Sequence, residues 1–168
     1  TLGENQSLET DTEAEVVIIG AGYTGLSAAY HLAKEHKVQA TVIDANDIGW
    51  GCSGRNAGFV LPGTGRLSLL QIREKWGHDI SQHMYHEFQD AIDTVTHLMQ
   101  EGNIECDFLQ GGYLRVAHKK ELAEDMLRNV DRLQELFSQN VEYKSAEQIG
   151  EQFMQNERAF GAMYYPNA

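Results

Sequence analysis

The chain opens polar and then turns abruptly apolar. Residues 1 to 15 hold five acids and no base, and Val16-Val17-Ile18-Ile19 follows as an unbroken β-branched run ended by Gly20. Such a run predicts a strand buried on both faces. Leu26, Ala29, Leu32 and Ala33 recur at helical spacing, and Val38 to Ile43 is a second strand-like run that stops at Asp44. Strand, glycine turn, helix and strand in close succession read as a βαβ unit, whose two strands must be parallel.

From Ile48 to Gly65 the apolar periodicity lapses. Gly49, Gly51, Gly54, Gly58, Gly63 and Gly65, with Pro62, predict a long loop of special shape, and loops of that length are usually functional. Helical periodicity then returns. Asp79 and Gln82 suggest a capping box ahead of a stripe of Ile80, Met84, Phe88, Ile92, Val95 and Met99, with Gly102 as the stop. Tyr113 to Val116 predicts a strand, and Leu122, Met126, Val130, Leu133 and Phe137 a further amphipathic helix. Val141–Tyr143 and Ala162–Tyr165 are short strand candidates, and no internal repeat is visible.

Composition narrows the class. At 168 residues, 42% apolar and 23% charged with two prolines, the chain reads as a globular one able to bury a core. A net charge of −12 repels phosphate backbones and argues against nucleic acid as a partner. No apolar run has the length of a membrane span, and no signal-peptide pattern opens the chain. Cys52 and Cys106 form neither a disulfide framework nor a CxxC pair, which points to a reducing, cytoplasmic setting and away from structural zinc. His86, Asp90 and His97, with His83 at the margin, share the helical face opposite the apolar stripe. They read as a solvated face, and no metal is expected. Tyr113, Tyr164 and Tyr165 read as packing residues.

The candidate chemistry lies in Gly20-Ala21-Gly22-Tyr23-Thr24-Gly25, a GxGxxG that follows a strand, opens a helix and is answered by an acid at the end of the next strand. Gly20 permits the tight turn, Gly22 lets backbone approach a pyrophosphate, and Gly25 lets helix and strand pack closely. Amides at the helix N-terminus, around Tyr23 and Thr24, hold phosphate, while Asp44 accepts from an adenosine ribose. This predicts dinucleotide binding and leaves FAD and NAD both open.

The loop Gly49-Trp50-Gly51-Cys52-Ser53-Gly54-Arg55-Asn56-Ala57-Gly58 adds a second signal. With the VVIIGAGYTGLSAA start and the GGYLRVA strand, it resembles the FAD-dependent amine and amino-acid oxidoreductases, the family of glycine oxidase and D-amino-acid oxidase, and most closely its γ-glutamylputrescine oxidoreductase branch. The resemblance covers most of Glu15 to Ala168. It implies FAD, held non-covalently, with Ser53, Arg55 and Asn56 near the pyrophosphate and ring system and with Gly54 and Gly58 allowing close approach. Cys52 is read as a small packing residue. Arg55 is also the only base between Lys37 and Arg66, an isolated cation suited to a diphosphate. Two departures stand out: Asp44 where the family often has Glu, and Glu35-His36-Lys37 where it commonly ends the first helix on glycine.

The expected architecture is α/β and incomplete: a Rossmann-type FAD-binding βαβ start, helices, and the opening of an antiparallel substrate domain. The expected divisions are a flexible acidic arm at 1–13, the start of the FAD domain at 14–65, helices packed on it at 66–105, and the start of the substrate domain at 106–168. The resemblance implies oxidation of a C–N bond in an amine or amino-acid substrate, by hydride transfer to FAD. It places catalytic groups further along the chain than these residues, so none is named here. The N-terminal piece alone is expected to be inactive and prone to self-association. The alternatives are an NAD-dependent dehydrogenase, which would not require the second loop, and a non-catalytic nucleotide-binding module.

Overall fold

The computed structural model describes residues 7–167, which form two compact units, one ending at Phe59 and the other starting at Val60. Residues 1–6 of the expected acidic arm lie outside the described residues. Residues 7–13 are exposed and without regular structure.

In the first unit, β1 (Val16–Ile19) pairs in parallel with β2 (Ala40–Ile43), Val16 opposite Ala40 and Ile19 opposite Ile43. Helix α1 (Tyr23–His36) makes the connection a parallel crossover. The helix stops without glycine. Lys37 takes the left-handed conformation at φ +59°, and the Lys37 and Val38 amides both donate to the Leu32 carbonyl, the latter at 3.1 Å, closing the helix end. A side chain in that conformation costs about 1–2 kcal/mol relative to the right-handed one.

β1 is only partly covered in this chain, as expected of a strand whose further neighbours lie outside it. Val16 and Ile18 are half-buried, but Val17 and Ile19 are exposed, Ile19 at 85%. The sheet of this unit has two strands and one helix, so only one of its faces is covered, and the apolar run is not buried on both sides. The stretch from Ile48 to Phe59 is irregular apart from a single 3-10 turn at Cys52–Gly54.

The second unit holds α2 (Leu69–Trp76), α3 (His78–Glu101), β3 (Tyr113–Ala117), α4 (Lys120–Phe137), β4 (Glu142–Ser145), α5 (Ala146–Gln152) and β5 (Gly161–Tyr165). Its sheet is antiparallel with order β3-β5-β4, Tyr113 facing Tyr165 and Glu142 facing Tyr164. One face packs on α4 through Met126, Val130, Leu133 and Phe137. Leu69 and Ile72 of α2 join this core with Ala117, Val141 and Met163. Each large side chain buried this way contributes about 1.5–3 kcal/mol. The other face carries Leu114 and Val116 against Ile149 of α5, Ala159 and Ala162.

The helix starts differ from expectation. α3 begins at His78, directly after Gly77 at φ +89°, and has no side-chain cap. Asp79 therefore sits inside the first turn, where its charge favours the helix dipole, and Gln82 donates to the Leu136 carbonyl instead. The capping boxes stand elsewhere: Ser68 with Gln71 at α2, and Ser145 with Gln148 at α5. Along α3, Met84, Tyr85 and Phe88 reach the core, while Ile80 and Val95 are exposed because the 24-residue helix outruns it. Among the described residues no helix is long and apolar enough to cross a membrane, and no cluster of three or more metal-ligating side chains occurs.

Candidate cofactor-binding site

The two glycine-rich segments of the first unit meet. At the end of β1, Gly20 turns at φ +106°, a conformation that strains any side chain, and its amide donates 2.7 Å to the Ile43 carbonyl at the end of β2. Asp44 closes the same turn from the other side. Its Oδ2 accepts from the Ala21 amide at 2.8 Å and its Oδ1 from the Asn46 amide at 2.9 Å. These amides, Ala21's above all and then Asn46's, hold the carboxyl below the ordinary aspartate value. The acid at the end of β2 thus shapes the glycine turn directly, a role the sequence reading did not assign to it.

The loop after β2 folds back over the start of α1. The Gly49 amide donates 2.9 Å to the Ala21 carbonyl, and Ser53 Oγ accepts from the Tyr23 amide at 3.0 Å. Asn56 Nδ2 donates 2.9 Å to Tyr23 Oη and 2.9 Å to the Ser53 carbonyl, while its Oδ1 accepts from the Gly58 amide at 2.8 Å. One side-chain amide therefore shapes its own loop and ties it to the helix start. Asn56 is spent on architecture, leaving Ser53 as a second cap on the helix.

Glycine is required where backbone meets backbone. A Cβ on Gly25 would collide with the Gly20 carbonyl and press on Ile18 Cγ2 at 3.2 Å, so helix and strand approach as the motif predicts. A Cβ on Gly54 would likewise strike the Gly49 carbonyl. The nearest neighbour that a Cβ on Gly22 would meet is Ser53 Oγ, at 2.9 Å. Gly58 turns at φ +72° with open space around it. Among the described residues, the Thr24 and Gly25 amides, next along the helix N-terminus, have no intramolecular acceptor. Arg55 stands apart from this network. Its guanidinium lies 5.8 Å from the Trp50 ring centroid and makes no ion pair among the described residues. Cys52 is a free, exposed thiol.

Known proteins carry the same arrangement of sequence. A family profile described as FAD dependent oxidoreductase (DAO) matches residues 15–168. γ-Glutamylputrescine oxidoreductase of Escherichia coli (strain K12) is 30% identical over 128 residues, covering 75% of this chain and 30% of that protein. The "Probable oxidoreductase OrdL" of Rhizobium meliloti (strain 1021) is 37% identical over 122 residues, 72% of this chain and 28% of the relative. Among solved structures, glycine oxidase from Geobacillus kaustophilus superposes with a TM-score of 0.65 at 20% identity, over 91% of this chain and 39% of that one. The chain spans about 30% of the length of the curated relatives it matches. FAD, not NAD, is the cofactor of this family. The glycine turn, the second loop and the antiparallel sheet are thus parts of one longer pattern, and the chain belongs to the DAO family of FAD-dependent oxidoreductases.

Proposed function

We propose that this chain is the N-terminal part of an enzyme that oxidises the C–N bond of an amine or amino acid, and that its first unit grips the adenosine and pyrophosphate end of FAD. The observation that carries the reading is the bracing of the glycine turn by the second loop through Tyr23, Ser53 and Asn56, with the Thr24 and Gly25 amides left open beside it. Two free amides at a helix N-terminus suit an anionic oxygen. Gly20 and Gly22 keep the approach clear of side chains, and Gly25 lets α1 pack closely on β1. The exposed, ionised Asp44 retains lone pairs for ribose hydroxyls, and Arg55 adds an unpaired cation that can turn toward phosphate. Gly54 and Gly58 let the second loop close over the same region.

When bound, FAD supplies the two-electron acceptor for the carbon beside nitrogen. The chain's own residues hold and orient it: amides on the diphosphate, Asp44 on the ribose, Asn56 fixing the loop. In this reading residues 14–65 begin the FAD domain, 66–105 form a helical segment and 106–168 open the substrate domain. The substrate class follows the names of the relatives, γ-glutamylputrescine oxidoreductase and glycine oxidase.

The test uses a polypeptide that carries this sequence at the length of its relatives. It should purify yellow, release flavin on acid treatment, and reduce an electron acceptor when given amines or amino acids. A colourless protein stabilised by NAD and indifferent to FAD contradicts the cofactor assignment. A yellow protein inert to every amine and amino acid contradicts the substrate class alone.

A further inference from the structure

Three of the chain's seven arginines converge on one hollow in the second unit. This half-open cavity of about 610 Å³ is lined by Arg73 of α2, Arg115 of β3 and Arg132 of α4, with Ser68, Gln71 and Asn129 between them. Its volume is in the range that accommodates a small-molecule ligand. Glu74 is the one acid on the wall, so three guanidinium groups face a single carboxylate.

The fold explains the convergence. Along β3, Tyr113, Arg115 and Ala117 share a face, and Ala117 lies in the core with α2 and α4, so Arg115 emerges between those helices. Asn129 and Arg132 are three apart on α4 and share its surface. At α2 the capping box consumes the Gln71 side-chain oxygen on the Ser68 amide, and the Ser68 oxygen accepts from the Gln71 amide. The Gln71 Nε2 and the Ser68 hydroxyl hydrogen remain as donors.

The cations are not neutralised internally. None of the three makes an ion pair among the described residues, although the chain carries a net charge of −12. Arg73 Nε is buried with no hydrogen-bond partner. Arg115 and Arg132 are exposed, whereas Arg73 is half-buried at the edge of the hollow. Three like charges around one hollow, with neutral donors between them, form a lining complementary to an anion.

We propose that the cavity between α2, β3 and α4 binds a small organic anion, a carboxylate or a phosphate ester, through Arg73, Arg115 and Arg132. The site does not depend on the flavin reading, and its test needs neither FAD nor turnover. A polypeptide that carries this sequence at the length of its relatives is titrated calorimetrically with inorganic phosphate and with succinate, against chloride at matched ionic strength. At least one should bind saturably and raise the melting temperature. Phosphate alone identifies the phosphate-ester class, and succinate alone the carboxylate class.

Arg73→Met, Arg115→Gln and Arg132→Gln should each weaken that binding by about tenfold or more, the scale of a charged hydrogen bond. Arg128→Gln, which removes an exposed arginine paired with Asp125, should leave it unchanged. Arg115 and Arg132 are exposed, so their variants keep the test valid should Arg73→Met fail to fold. Without anion, Arg73→Met should melt no lower than the parent, since it deletes an unpartnered donor. The proposal is overturned by a failure of both anions to exceed chloride, or by equal loss in Arg128→Gln. Binding indifferent to all three cavity variants, as for phosphate held at the glycine turn, also overturns it.

Discussion

Asn56 Nδ2 donates to Tyr23 Oη at 2.9 Å across 33 residues of sequence, joining the second glycine-rich loop to the first turn of α1. Neither side chain needs to touch a nucleotide for this bond to matter. The bond sets where the loop lies relative to the open Thr24 and Gly25 amides. Tyr23→Phe removes one neutral hydrogen bond, about 0.5–1.5 kcal/mol. Asn56→Ala also releases the Gly58 amide and the Ser53 carbonyl, so it should cost more. Limited proteolysis between Gly49 and Gly58 should show faster cleavage in the order wild type, Tyr23→Phe, Asn56→Ala. Equal rates in all three would remove the brace from the account.

Arg55 makes no ion pair among the described residues and rests over Trp50. Arg55→Ala should therefore leave folding nearly unchanged, yet weaken FAD retention by about 1.5–3 kcal/mol in the polypeptide of relatives' length. Flavin release measured by equilibrium dialysis checks this. Retention equal to wild type would make the arginine a surface residue stacked on a tryptophan.

Asp44 contributes a pH dependence of its own. Its folded value is depressed by the Ala21 and Asn46 amides, so the stability it confers is fully present above the unfolded aspartate value, about 3.9. That contribution is lost as pH falls through the folded value. Between neutrality and pH ~5 it should not vary, because the carboxyl is ionised in both states. Thermal melts of wild type and Asp44→Asn should therefore keep a constant gap across that window and converge in acid. A gap that closes between pH 7 and 5 would show that another group dominates.

Lys37 ends α1 in the left-handed conformation usually taken by glycine. Lys37→Gly relieves that strain, gives up the bond from Lys37 Nζ to the Lys34 carbonyl, and raises unfolded-chain entropy. The balance should be a gain of up to ~1 kcal/mol, read as a higher urea midpoint at unchanged slope. A lower midpoint would mean that the lysine's own contacts outweigh its strain.

The exposed face of β1 bears on the chain in isolation. Val17 and Ile19 present apolar side chains beside the open edges of a two-stranded sheet, a surface that favours association. The 168-residue chain alone should sediment as concentration-dependent oligomers, hold FAD poorly and turn over no amine. Val17→Thr with Ile19→Thr should shift it toward monomer. A monomeric wild-type chain with micromolar FAD affinity and measurable turnover would contradict all three expectations.

Local rules made much of the fold legible. Val16–Ile19 and most of Val38–Ile43 form the strands that their β-branched runs predict, although β2 starts only at Ala40, and the glycines between β1 and α1 announce a turn. The α4 stripe from Met126 to Phe137 was readable because 3.6-residue periodicity survives tertiary packing. Ser68 and Gln71, and Ser145 and Gln148, are equally legible as helix starts, whereas Asp79 lies two residues past the cap position at Gly77 and cannot cap α3. Other features lay beyond sequence. The Tyr23–Asn56 bond joins residues whose types and spacing carry no pattern, and Arg73, Arg115 and Arg132 become neighbours only after three elements pack. Exposure of Ile19 depends on which elements cover β1, and a β-branched run does not encode that.

Gly25 closes on the carbonyl of Gly20, and Gly54 closes on the carbonyl of Gly49. In both loops a glycine comes to rest against the glycine five positions before it, so the chain uses the same clasp twice, once on each side of β2. A clasp of this kind measures length and is blind to most of what it encloses. Point substitutions at the exposed Thr24 or Cys52 leave the clasp shut, whereas adding or deleting a single residue inside either span moves the closing glycine off its carbonyl. The tolerance of this region to mutation should therefore be set by counting residues, with indels failing where even unlike side chains are accepted.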